Sequence, residues 1–369
     1  MKAVFRADAS LDIGTGHVMR CLTLADVLRR EGTECHFICR EHAGHLIEAV
    51  RAQGYIAHPL PLQPAEESQH RPRTAPELAH ASWLGATQEQ DALSCTTILR
   101  SIQPDWLIVD HYALDKRWEV AQRPHCGKIM VIDDLADRLH DCDLLLDQTF
   151  GRQPEDYQPL APEYCTILCS SRYALLRPEF AQWRPYSLKR RKKTELRHLL
   201  ITMGGVDRGN ATGMILDALT TDCLPEDCRI SVVMGRNAPW LNQVRQQAGQ
   251  LPWSTDVRVD ITDMARLMAD SDLAIGAAGA TSWERCCLGL PTLLMVLADN
   301  QIKIARTLAE AQAVSVLDFA FCPDRLPEIL KTFDGKKLFE MSGFAADVCD
   351  GSGSVEVVAQ LKRVQTSCV

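Results

Sequence analysis

The sequence predicts two doubly wound α/β domains. Three observations carry that prediction: short apolar runs alternate with helical patterns, the alternation lapses from Phe150 to Lys193 across five prolines and a basic run, and a second series follows. Continuous apolar strands bounded by helices belong to parallel sheets covered on both faces. With 369 residues, 46% of them apolar, the chain is long enough for two separate cores.

The first series opens with "AVF" and a helix over Val18 to Arg30. Val18, Cys21, Leu22, Ala25 and Leu28 keep the i, i+3, i+4 spacing of a core-facing stripe, and Gly32 is placed to stop the helix. "CHFIC", a helix over Leu46 to Gln53, and strands at Trp106 to Asp110, Lys128 to Asp133 and Asp143 to Asp147 follow. Leu60 to His80 is polar and proline-rich and reads as a long surface loop. The second series is "RHLLITMGG", "RISVVMG", "VRVD", "DLAIGAAGA" and "PTLLMVLA". The expected boundaries are a first domain over 1–165, a link over 166–195, a second domain over 196–350 and a C-terminal helix over 351–369. "LKRRKK" (Leu188 to Lys193) reads as a solvated part of the link, and no repeat of solenoid length is present.

Composition excludes several classes of function. The formal charge is −8 and "LKRRKK" is the one notable basic run, so no nucleic-acid partner is expected. "MKAVFRADAS" lacks the apolar core of a signal peptide. Cys286 to Ala298, the most apolar segment, contains a proline and falls short of the ~20 residues of a membrane span. It reads as a buried strand with its approach, so no membrane partner is expected and the location is cytoplasmic. The 15 cysteines are odd in number and scattered, without zinc spacing, and Cys286 and Cys287 read as core filler. No HxH, DxD or Cys/His cluster suggests a metal; neither metal nor cofactor is expected. Asp133 and Asp134 could imitate a carboxylate pair but are read as solvated at a strand end. A monomer is the expected state.

Three glycine-rich strand-to-helix turns carry the chemistry. Ligands of open α/β sheets lie at the carboxyl ends of the strands, where helix N-termini offer free N–H groups. "GTGH" places Gly14 and Gly16 at such a turn, but a dinucleotide fingerprint would need a third glycine where Met19 stands. His17 follows at once. An imidazole with its ordinary pKa near ~6.5 can take a proton from water without a metal, although a lone histidine more often serves structure. "TMGGVDRGN" (Thr202 to Asn210) opens a helix with Asp207 or Asn210 as cap. "GAAGATSWERCCLGLP" (Gly276 to Pro291) does so again, with Glu284 placed either to favour the helix dipole or to grip ribose hydroxyls. Together the turns point to a nucleotide diphosphate held by the second domain.

"FRADASLDIGTGHVMRCLTLAD", "LIVDHYALD", "SRYALLRPEF", "MGGVDRGN" and "AIGAAGATSWERCCLGLPTLLMVLADNQ" together resemble the UDP-2,4-diacetamido-2,4,6-trideoxy-β-L-altropyranose hydrolases of pseudaminic acid biosynthesis, over nearly the whole chain in motif order. The resemblance implies two Rossmann-like domains in the GT-B architecture of glycosyltransferases, related to the N-acetylglucosaminyltransferase of peptidoglycan synthesis. It also implies a UDP-sugar active site in the interdomain cleft, with water in place of an acceptor. Carried over by motif, His17 is the general base, and Gly14 and Gly16 wall the site. The loop with Ala278, Gly279, Thr281 and Ser282, together with Glu284, takes uridine and diphosphate. Gly204, Gly205 and Asn210 are further ligands, and Asn300 lies close to the sugar or phosphate. Some relatives have an active-site tyrosine upstream of "DHY", where "WLGATQEQDALSC" has none. Asp91 is the polar substitute expected there, with Arg6, Asp8 and Tyr112 as further exposed candidates at the cleft edge. Departure of UDP needs its charge stabilised more than it needs a proton, so no second carboxylic acid is required. A UDP-sugar glycosyltransferase and a non-catalytic nucleotide-sugar sensor are the rival readings.

Overall fold

The computed structural model describes residues 1–63, 78–192, 195–259, 261–297 and 301–366. They form two units, Met1–Leu175 with Gly353–Val369, and Leu176–Ser352.

In the first unit the apolar runs become a seven-stranded parallel sheet. In chain order come β1 (Lys2–Ala7), α1 (Gly16–Arg30), β2 (Glu34–Arg40), α2 (Ile47–Ala52), β3 (Ile56–Leu60), α3 (Gln88–Ile102), β4 (Trp106–Asp110), α4 (Lys116–Gln122), β5 (Lys128–Ile132), β6 (Leu144–Asp147) and β7 (Thr166–Cys169). The spatial order is β3-β2-β1-β4-β5-β6-β7. β1 and β4 are neighbours in register, Ala7 beside Asp110, so the first glycine turn and the end of β4 leave the sheet together. The predicted stripe of α1 is buried throughout. Gly32, at φ +83°, ends the helix: its N–H bonds the Arg29 carbonyl and that of Thr33 the Leu28 carbonyl. That pair is a Schellman closure, which needs a left-handed residue where Gly32 stands. α3 starts at a capping box in which Thr87 and Gln90 satisfy each other's backbone N–H.

The second unit continues with α5 (Pro178–Arg190), β8 (His198–Thr202), α6 (Ala211–Ala218), β9 (Arg229–Met234), α7 (Leu241–Ala248), β10 (Ser254–Val259), α8 (Met264–Asp270), β11 (Leu273–Ala277), α9 (Thr281–Cys287), β12 (Thr292–Val296), α10 (Ile302–Glu310), β13 (Ser315–Asp318), α11 (Cys322–Lys331) and α12 (Gly335–Val348). Its six parallel strands run β10-β9-β8-β11-β12-β13. β8 and β11 are central neighbours, with Thr202 beside Gly276. Both glycine turns therefore leave the same edge of the sheet. The last helix, α13 (Gly353–Thr366), returns to the first unit and buries Val357, Val358 and Leu361 in the core under α1 and β1. Cys286 and Cys287 fill core, as their neighbours suggest. Among the described residues no helix is long and apolar enough to cross a membrane.

Three local readings change. The stretch 166–195, read as a link, contains β7, the last strand of the first sheet, and α5. "LKRRKK" is not solvated throughout: Leu188, Lys189 and Arg190 close α5, with Lys189 exposed, and Arg191 caps the helix. Arg191 there is 1% exposed, its guanidinium donating to the carbonyls of Leu288, Ser271 and Met268, while Arg190 pairs with Asp272 at 2.5 Å. Asp133 is not solvated either: it is fully buried, 2.7 Å from Arg138 and accepting from the Tyr157 hydroxyl at 2.8 Å. Most of the expected surface loop, 64–77, lies outside the described residues.

Candidate active site

His17 sits in the first turn of α1, where the chain has just left β1. The turn before it is closed by Ser10 and Gly14, which exchange backbone hydrogen bonds at 2.9 and 3.3 Å. Within this turn the Ser10 hydroxyl accepts the N–H groups of Asp12 and Ile13. His17 Nδ1 lies 2.6 Å from Asp110 Oδ1, at the end of β4. Arg20, one helical turn on and so on the same face, grips both oxygens of Asp110, Nε to Oδ2 at 2.6 Å and Nη2 to Oδ1 at 2.7 Å. Its Nη1 reaches Asp134 Oδ2 at 2.5 Å, and Tyr112 donates its hydroxyl to the same oxygen at 2.9 Å. The Tyr112 ring meets His17 edge to face, centroids 4.6 Å apart.

The electrostatics fix the proton. Burial would push the Asp110 carboxyl up, but Arg20 and then His17 outweigh it and hold the group well below the usual carboxylate range. Burial pushes the Tyr112 phenol well up, so it stays a donor. A carboxylate can only accept, so the proton of a neutral His17 is assigned to Nδ1 and its Nε2 keeps a lone pair for water. Asp110 orients the imidazole and Arg20 orients Asp110. This is the base-plus-carboxylate logic of a catalytic dyad.

Arg6, Asp8 and Asp91 are not exposed groups. All three are fully buried. Arg6 bonds Asp8 at 2.6 Å and Asp91 at 2.7 and 3.2 Å; Arg40 adds a 2.6 Å bond to Asp91, and Trp118 Nε1 donates to Asp91 at 2.9 Å. Asp8 further accepts the Arg40 N–H at 2.6 Å and stands 3.2 Å from His111 Nε2. Burial opposes the charge of Asp8 and Asp91, and Arg6 outweighs it, so both are held below the usual carboxylate range. These charges are enclosed because β1, β2 and α3 bring them together to neutralise one another. Tyr112, expected exposed, is 9% exposed and packs on His17.

In the second unit Gly204 and Gly205 are exposed at the end of β8. Both expected cap residues act: Asp207 accepts the N–H groups of Ala211 and Thr212 at 2.8 Å each, and Asn210 accepts that of Gly213 at 3.2 Å. The Asn210 carboxamide oxygen is thus given to α6. At the neighbouring turn the buried Arg285 donates to the Ala277 carbonyl at 2.8 Å and to the hydroxyls of Ser282 and Thr281 at 3.1 and 3.3 Å. Ser282 and Thr281 therefore hold the turn from inside, Ala278 bonds the Met295 carbonyl, and Gly279 remains partly exposed on its rim. Burial raises the pKa of Glu284 and Arg177, 4.0 Å away, opposes that shift. Asn300 lies outside the described residues.

Arg20, Asp110 and Asp134 were missed in the sequence, as was Arg285. The spacing of His17 and Arg20 and the acid ending an apolar strand were the available signals.

Residues 212–347 match the glycosyltransferase family 28 C-terminal domain. The matched residues lie within the second unit. A curated protein from Campylobacter jejuni, UDP-2,4-diacetamido-2,4,6-trideoxy-beta-L-altropyranose hydrolase, is 27% identical over 84% of this chain and 97% of its own length. It bears the name the motifs resemble. An uncharacterized protein from Methanocaldococcus jannaschii is 24% identical over 82% of this chain, which spans only 57% of that relative. Among solved structures, MurG of Acinetobacter baumannii superposes with a TM-score of 0.69 at 15% identity, covering 98% of this chain and 99% of its own. The chain has the GT-B architecture: two Rossmann-like units, each on a parallel sheet.

Proposed function

We propose that the protein hydrolyses a UDP-sugar of the kind for which its Campylobacter relative is named, UDP-2,4-diacetamido-2,4,6-trideoxy-β-L-altropyranose, to UDP and the free sugar. The observation that carries this reading is the His17–Asp110 contact at 2.6 Å, locked by Arg20. His17 Nε2 takes a proton from water, the water oxygen bonds to the anomeric carbon, and the bond from that carbon to the β-phosphate oxygen breaks with its electron pair leaving on UDP. Attack opposite to the departing UDP inverts the anomeric configuration. The exposed glycines Gly204 and Gly205 suit the charge of the diphosphate, and Glu284 suits the ribose hydroxyls. No step is assigned to a metal.

The test is UDP release and product anomer by NMR, with no acceptor present. Wild type is expected to turn over to the inverted anomer. His17→Ala should lose about 10²–10⁴-fold in kcat with UDP affinity unchanged. Retention of configuration would sink the single-displacement mechanism. The match to a glycosyltransferase domain favours one second reading, transfer to an acceptor; UDP release that requires an added acceptor would select it.

A further inference from the structure

We propose that a hollow of about 430 Å³ in the first unit, lined by Ser10, Asp12, Ile13, His42, Ser82 and Trp83, seats the neutral sugar ring of the substrate, with Trp83 as its platform. The proposal rests on the UDP-sugar reading and adds the residues that choose the sugar. The volume lies within the range of small-ligand pockets, about 300–1,000 Å³.

Position ties the hollow to the chemistry. Ser10, Asp12 and Ile13 belong to the turn, closed at Gly14, that precedes α1 and His17. Trp83 stacks on Tyr112, centroids 5.9 Å apart and planes 27° from parallel, and Tyr112 meets His17 at 4.6 Å. One aromatic wall thus runs from the hollow to the imidazole. His80 backs the indole with centroids 4.4 Å apart, which fixes the ring.

The lining suits a neutral ring. Neither Lys nor Arg is among these six residues. The half-buried indole suits the C–H side of a pyranose.

The test compares the affinity for UDP with that for the UDP-sugar above, by calorimetry on the full chain in a His17→Ala background that prevents turnover. Trp83→Ala should weaken UDP-sugar binding about tenfold and leave UDP binding unchanged, with Trp83→Phe restoring most of the loss. Unchanged UDP affinity also reports that the variants fold. If both affinities fall together, or UDP-sugar affinity does not move, the hollow takes no sugar and the proposal is overturned. A background protein that binds UDP-sugar no tighter than UDP overturns it as well. The hydrolase reading fails separately, when wild type binds the UDP-sugar but releases no UDP.

Discussion

His17, Asp110 and Arg20 act as one unit because each removes a freedom from the next. Asp110 selects the imidazole tautomer, and Arg20, bound at both carboxylate oxygens, stops Asp110 from rotating away. Asp110→Asn keeps the shape but no longer enforces a proton on Nδ1. A fall in kcat of about 10³–10⁴-fold is expected, with UDP affinity unchanged. Breaking a buried ion pair costs about 3–5 kcal/mol, so a melting curve belongs beside the kinetics. A loss below tenfold in a folded variant would show that the carboxylate does not orient the base. Arg20→Lys separates charge from geometry: an ammonium cannot span both oxygens, so kcat should fall while net charge is unchanged.

At the scale of elements, the glycine turn after β8 depends on the turn after β9. Gly235 donates its N–H to the Gly205 carbonyl at 3.0 Å, and a Cβ at Gly235 would stand 2.2 Å from that oxygen. Gly235→Ala must therefore displace the Gly204–Gly205 turn. The expected result is about 1–3 kcal/mol of destabilisation and at least tenfold weaker UDP binding. Gly209→Ala, with nothing within 4 Å of the added carbon, is the control and should bind UDP normally. Equal affinities for the two variants would remove this turn from the UDP site. The strands were readable in advance because both faces of a parallel sheet are buried, which leaves continuous apolar runs such as "WLIVD". Arg6 interrupts such a run, and from sequence a charge in a strand reads as exposure. Its partner Asp91 is 85 residues away, and only the packing of α3 over β1 shows that the two enclose each other. Arg20 was hidden in the same way: the apolar stripe of α1 identifies what it buries but not that a guanidinium lies buried beside it. α13 declares an apolar face without saying which unit that face will cover.

For the whole molecule, the buried charges divide unevenly. In the first unit Asp8, Asp91, Asp110 and Asp133 are enclosed and held below the usual carboxylate range by arginines that outweigh burial, Asp133 at about 2. In the second unit the enclosed arginines, Arg191 and Arg285, are satisfied by carbonyls and hydroxyls instead of carboxylates, and the buried Asp272 pairs with Arg190. A depressed carboxylate stabilises the fold above its unfolded pKa, near ~3.9, because there the native state alone keeps its favourable pairing. As pH drops below that value the unfolded chain takes up protons that the native state refuses, and the stability is lost progressively down to the native pKa. The first unit is therefore expected to fail first in acid, over a window from about pH 4 toward about pH 2. Pepsin is active in that window and reads it directly. Brief digestion at stepwise lower pH, with peptides assigned by mass spectrometry, should cut first within residues 1–175 and 353–369. Asp133→Asn should move the onset of cleavage to higher pH, since it leaves Arg138 without that carboxylate partner. Initial cleavage inside 176–352 would mean that packing, and not carboxylate protonation, sets the acid limit of this protein.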